Sequence, residues 1–166
     1  ILRCLVGSEM CIRDSTTSSA FNNAVRPKGF HYNFEVLTSL VAVFLNHNYK
    51  LNDEISFFSD LRIESLNYNY DNLMNDGRLR DDGTSCGFGG CFYSRPSDTD
   101  LNFLDNSYRF GFERKLINGS LFFQLSTGHR PPQINELFRL QKGQTLADLE
   151  SEEMDSLEIA FINEGE

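Results

Sequence analysis

A chain of 166 residues with a formal net charge of −9 carries no basic stripe able to displace counterions from phosphates, so nucleic acid is excluded as an expected partner. Its best apolar run, Val36–Leu45 ("VLTSLVAVFL"), falls far short of the ~20 residues a helix needs to cross a bilayer. Fifteen Phe and six Tyr with no Trp, set between clusters of Asn, Ser, Gly and Asp, favour β structure with polar loops.

The chain opens on a stretch without structural grammar. Cys4–Ser15 ("CLVGSEMCIRDS") shows no alternation, amphipathic face, cap or turn signal. It also lacks the ordered basic start, apolar centre and cleavage site of a secretory leader. From Cys4 to Ser15 it is identical to the translation of an adapter used in transposon-based sequencing libraries, with Ile1–Arg3 supplied by index bases upstream. Residues 1–15 are therefore expected to be adapter-derived, to belong to no part of the protein and to lie outside its sheet. The gene is then expected to come from a fragment of environmental or library DNA, truncated at both ends. Residues 16–166 keep the charge of −9, because Arg3 and Arg13 leave with Glu9 and Asp14, and they keep Cys86 and Cys91. Ser15–Ala20 ("STTSSA") is a short low-complexity tract, and no fixed-period repeat follows it.

Leu37–Leu51 reads as an extended segment with Leu37, Val41, Val43, Leu45, Tyr49 and Leu51 on one face. A short turn at Leu51–Asp53 leads into Glu54–Glu64 ("EISFFSDLRIE"). There Ile55, Phe57, Leu61 and Ile63 oppose Glu54, Ser56, Asp60, Arg62 and Glu64, a period of two that predicts a strand, with Phe58 the exception. After a long connection, Ser107–Leu116 sets Tyr108, Phe110 and Phe112 against Arg109, Glu113 and Lys115. Asn118-Gly119 is a strong hairpin signal, and it explains Asn118-Gly119-Ser120 better than the glycosylation sequon those residues also spell. Ser120–Thr127 returns with Leu121, Phe123 and Leu125, and Ser156–Ile162 closes the series with Leu157, Ile159 and Phe161.

Connection lengths alternate. Leu51–Asp53 and Ile117–Gly119 are short, whereas Asp71–Asn106 and Gly128–Asp155 are long. Long structureless loops are uncommon in compact soluble domains, while outer-membrane barrels have short turns at one end and long loops at the other. Strand alternation does not separate a barrel from a sandwich, because a lipid-facing strand and a core-facing strand write the same pattern. Loop asymmetry tips the expectation to a barrel: an all-β antiparallel meander of about five strands from a large transmembrane β-barrel, truncated and unable to close.

Residues carry a resemblance as well. Gly128-His129-Arg130-Pro131-Pro132-Gln133, then Glu136-Leu137-Phe138-Arg139-Leu140-Gln141, then Ser151-Glu152 and Leu157-Glu158, resemble the TonB-dependent outer-membrane receptors. His129 stands where that family commonly has Phe or Tyr, and Pro131 where it often has Ala. A second stretch, Cys86–Pro96 ("CGFGGCFYSRP"), is similar to a cysteine-pinched outer loop in one branch of the family. The resemblance spans most of residues 34–162. It implies that residues 16–166 are part of a receptor barrel domain in the bacterial outer membrane. The signal peptide, plug domain, TonB box and C-terminal strand would lie outside this stretch.

Such a receptor takes up a scarce nutrient, most often a ferric siderophore, with energy relayed by TonB. The implied partners are that small ligand, TonB and outer-membrane lipid. No bond is made or broken, so no enzyme activity, catalytic residue, cofactor or resident metal is expected. The resemblance and an oxidising compartment imply a Cys86–Cys91 disulfide, although four intervening residues also leave free thiols or a metal pair open. Arg130, Gln133, Arg139 and Gln141 are candidate ligand-facing loop residues, since arginine forks suit the oxygens of a chelated iron ligand. Alternatively, Arg130 and Glu136 hold that loop in shape. Asp98–Phe103 with Asp105 offers oxygen ligands without the spacing of a known calcium loop. His31, His47 and His129 are scattered, and nothing pairs a nucleophile with a base. Rival readings are a secreted soluble β-sandwich binding module and a passive outer-membrane barrel without a plug.

Overall fold

The structure, a computed structural model, describes residues 2–18, as the course of the backbone, and residues 24–163. Its main sheet has six strands in the order β1 (Leu2–Ser18), β2 (Gly29–Lys50), β3 (Ile55–Asn72), β5 (Thr99–Leu116), β6 (Gly119–Arg130) and β8 (Glu152–Asn163). All neighbours pair antiparallel, and β2 to β8 form a meander of five strands that does not close. Two short strands, β4 (Tyr93–Ser94) and β7 (Leu140–Gln141), pair separately, and one helix, α1 (Ile134–Phe138), precedes β7.

Residues 1–15 were expected outside the sheet, and this is corrected. Leu2–Ser18 runs antiparallel along β2, from Leu2 opposite Leu45 to Ser18 opposite Gly29, with register shifts between Leu5 and Ser8 and between Thr16 and Thr17. The physical reason is that an edge strand offers backbone N–H and C=O groups, which any extended chain can match whatever its side chains. Ile1, Ser19 and Ala20 lie outside the described residues.

Strands run longer than their alternation suggested. The register explains why. Pairing of Leu61 with Leu45 and Tyr108, and of Tyr108 with Thr127, sets the odd residues of β2, β3, β6 and β8 and the even residues of β5 on one face, here the A face. On it Leu37, Val41, Val43, Leu45, Ile55, Phe57, Leu61, Ile63, Tyr108, Phe110, Phe112, Leu121, Phe123, Leu125, Leu157, Ile159 and Phe161 form a belt across five strands. Toward the long connections the polarity inverts. There the A face carries Asn67, Asn69, Asp100 and Asn102, joined in cross-strand hydrogen bonds. The opposite B face carries Tyr32, Phe34, Val36, Leu66, Tyr68 and Tyr70, a buried core completed by Leu137 and Phe138 of α1.

Loop asymmetry persists. The meander turns at 51–54 and 117–118 on one end, and at 73–98 and 131–151 on the other. In the 117–118 turn the sequence signal is displaced by one residue. Ile117 and Asn118 are the turn, and neither has the positive φ an Asn-Gly primed turn would use. Gly119 instead starts β6 at φ 151°, and a Cβ there would stand 2.2 Å from the Ile162 carbonyl oxygen. Its hydrogen is needed for the close approach of β8.

Candidate functional site

Both long connections pack together at one end of the sheet. Tyr93 pairs with Gln141 and Ser94 with Leu140, so β4 of the first connection and β7 of the second form one small ladder. Beneath it Tyr93 stacks on His31 at 4.3 Å and meets Tyr32 edge-on at 5.1 Å.

Arg95 organises the first connection. It is 3 % exposed, and its guanidinium donates to the carbonyls of Asn75 (2.7 Å), Leu79 (2.6 Å) and His31 (3.3 Å). Its backbone pairs both ways with Gly77. Burial pushes its pKa below the usual guanidinium value, and the Asp81 carboxylate opposes that shift. Farther out, Asp82 is held below the ordinary carboxylate range by the hydroxyl and N–H of Thr84.

At the tip Cys86 and Cys91 are joined, with sulfurs 2.04 Å apart and both residues buried. Arg78 donates to the carbonyls of Cys91 (2.7 Å) and Gly90 (3.0 Å), and the N–H of Gly87 reaches the Ala24 carbonyl at 2.9 Å. Between the cysteines Phe88 is 83 % exposed and has φ 56°. It is the one described non-glycine residue with positive φ, a conformation that costs a side chain roughly 1 kcal/mol or more. Lys142 of the second connection donates to its carbonyl at 3.4 Å.

The four loop candidates do not converge. Arg130 lies at the end of β6, bonded to Glu152 at 3.0 Å and 3.6 Å from Glu136. Gln133 caps α1, with its N–H donating to the Glu136 carboxylate at 2.7 Å. Arg139 ends that helix. Gln141 takes part in the β4–β7 ladder, and its N–H donates to the Gln144 side chain. The Arg130–Glu136 pairing is the loop-shaping arrangement that the sequence offered as the alternative.

The acids are likewise separated. Asp98 accepts from the Asn72 N–H and Asp100 from Asn69, while Asp105 accepts from Ser151 on the B face. Among the described residues no group of His, Cys, Asp or Glu side chains is placed to hold a metal ion.

Between this packed end and the tight turns the B face opens into a cavity of about 540 Å³, bordered by all five meander strands. Phe44, Asn46, Asp60, Arg62, Ser107, Arg109, Ser126, Gly128, Met154 and Ser156 line it. Its charges are paired: Arg109 bridges to Asp60, Asn46 donates to the same carboxylate at 2.7 Å, and Arg62 bridges to Glu64. Nearer the turns Phe58 stacks on Phe122 at 5.2 Å, across the bare backbone of Gly111, whose Cβ would lie 2.3 Å from the Phe58 ring. That explains the break in alternation at Phe58. A smaller hollow of about 340 Å³ lies on the A face, among Phe57, Phe110, Phe112 and Phe123.

No family model, curated protein or solved structure matches this chain. The reading of function therefore rests on geometry and on the motifs in the sequence. Sequence reasoning had assigned no role to Arg95, Tyr32 or Tyr68. Buried arginines have no periodic signature, and the tyrosines sit where the apolar face has switched sides.

Proposed function

We propose that this chain is a segment of an outer-membrane β-barrel, of the kind formed by TonB-dependent receptors, which take up a scarce nutrient such as a ferric siderophore. The single observation that carries the reading is the A-face belt. Its large apolar side chains remain open to solvent (Ile63 55 %, Ile159 67 %, Phe161 56 % exposed), and among the described residues no second layer covers them. A soluble sandwich of this composition would bury that face against another sheet.

Dimensions agree with a bilayer. On β3 the belt runs from Ile55 to Ile63, about nine residues, which falls in the ~9–11 that a tilted strand needs to cross a bilayer. The Asn ladder bounds it on one side, and Asp53 and Glu54 in the tight turn bound it on the other. The opposite face keeps paired charges around an open hollow, as a wet interior requires. No described helix is long and apolar enough to cross a membrane, which says nothing about crossing by strands.

Two measurements test the proposal. Nitroxides at positions 123, 159 and 57 of the chain in lipid or detergent should favour contact with dissolved oxygen. Those at 124 and 158 should favour a water-soluble nickel complex. Identical behaviour of the two sets overturns the membrane reading. Recovery of the upstream coding sequence separates receptor from passive barrel: a plug and TonB box are expected, and their absence there leaves the passive barrel.

A further inference from the structure

We propose that the hollow on the A face is a binding site for a lipid-dissolved phenol, a flat apolar ring carrying one neutral hydroxyl, with His47 and Ser59 as its polar end. The inference rests on the membrane reading of the A face and adds a ligand site to it. His47 is paired directly across from Ser59, and Ser59 from Phe110. Ser59 stands midway between Ile55 and Ile63, so a polar pair interrupts the belt at its mid-height. His47 is exposed and Ser59 half-buried. Among the described residues neither side chain has a hydrogen-bond or ion-pair partner. Polar groups left unpaired in hydrocarbon are costly, and an ionisable side chain at that depth marks a functional site.

The walls suit a ring. Ser59 is small where its neighbours Phe57, Phe110, Phe112 and Phe123 are large, and the volume it leaves is the hollow of about 340 Å³, within the size range of small-ligand pockets. The Phe112 ring lies 6.2 Å from that of Phe57 and 5.5 Å from that of Phe123, so the walls offer aromatic faces and edges to a further ring. No Asp, Glu, Lys or Arg lines the hollow, and a charged ligand would find no counter-charge there. A neutral hydroxyl both donates and accepts, which suits an imidazole and a serine hydroxyl at once. A plain acyl chain would fill the volume and leave both polar groups unpaired.

The test uses the full chain reconstituted with lipid, para-butylphenol as the probe and butylbenzene, which lacks only the hydroxyl, as its control. A diazirine-bearing alkylphenol is photolysed in the sample, and the labelled residues are mapped by mass spectrometry. Label should concentrate on Phe57, Phe110, Phe112 and Phe123 rather than on Leu157, Ile159 and Phe161 of the same belt. The probe should displace it at about a fifth of the concentration in lipid that the control needs, the worth of one neutral hydrogen bond. The paired change His47→Leu and Ser59→Ala should bring the two competitors level, with the label on β8 as in the parent showing that the sheet is intact. If the β8 label changes, Ser59→Leu, which fills the hollow and keeps His47, decides, and it should disperse the label along the belt. Even label in the parent, equal displacement by the two competitors, or a preference that survives the variants overturns the site. So does label that rises as the chain is diluted in lipid, which would make a second copy the occupant. A nitroxide at 159 that reports water overturns the membrane reading and the site together, whereas one that reports lipid beside even label overturns the site alone.

Discussion

Arg95 carries more of the first long connection than any other side chain on it. Three backbone carbonyls from separate segments converge on its guanidinium, so its loss leaves one buried and two part-buried acceptors without their donor. Arg95→Met should lower stability by about 3 kcal/mol in urea unfolding. Arg95→Lys should cost nearly as much, because one ammonium cannot span three carbonyls set by a planar fork. A loss below about 1 kcal/mol for both would mean that these carbonyls find other donors. Gly119 is the second residue with a fixed requirement. Gly119→Ala places a methyl against the Ile162 carbonyl at a φ of 151°, and should cost about 2 kcal/mol or more, with hydrogen exchange rising first at the β6–β8 end. By contrast Asn118→Ala should be nearly neutral, since Asn118 has no positive φ to supply.

At the scale of elements, legibility followed the side on which each strand keeps its apolar residues. Over Glu54–Glu64 the apolar set stays on the A face, and both the strand and its facing were readable. At Leu66, Tyr68 and Tyr70 the set crosses to the B face, because α1 and β7 cover that side there. Alternation counted in a single phase loses the strand at that point. The same switch separates Tyr32, Phe34 and Val36 from Leu37 onward in β2, and Leu101 and Phe103 from Tyr108 in β5. A partner element contributed by a distant connection dictates the phase, and sequence periodicity holds no record of it. The disulfide tip was visible as a glycine-spaced cysteine pair, whereas its anchoring by Arg78 was not. Since the ring closes a short stretch, Cys86→Ala with Cys91→Ala should cost only about 2 kcal/mol. The loss should fall on the tip, seen as faster exchange at Gly87 and Phe92, while the meander amides hold. Loss of the whole meander would show that the tip supports the sheet.

For the whole molecule, β1 and the A face make opposite demands on sequence. The edge of β2 pairs with Leu2–Ser18 along the backbone, a pairing that needs no side-chain pattern; among the described residues the outer edge of β8 carries no neighbour. The A face demands side chains, and it supplies the sharpest contrast between adjacent residues. Phe123 sits in the middle of the belt, paired across to Phe112 and Ile159, whereas Gln124 beside it points to the B face between Gly111 and Glu158. In the chain reconstituted with lipid, Phe123→Arg should destabilise by roughly 2–4 kcal/mol, the cost of a cation near the midplane of a bilayer. Gln124→Arg should change stability by less than about 0.5 kcal/mol, because its guanidinium reaches water and faces Glu158 across the pair. Both are read as shifts in the urea midpoint with the slope held constant. A soluble protein with this sheet would reverse the ranking or flatten it. An exposed apolar site tolerates arginine in water, so equal tolerance at 123 and 124 would remove lipid as the occupant of the A face.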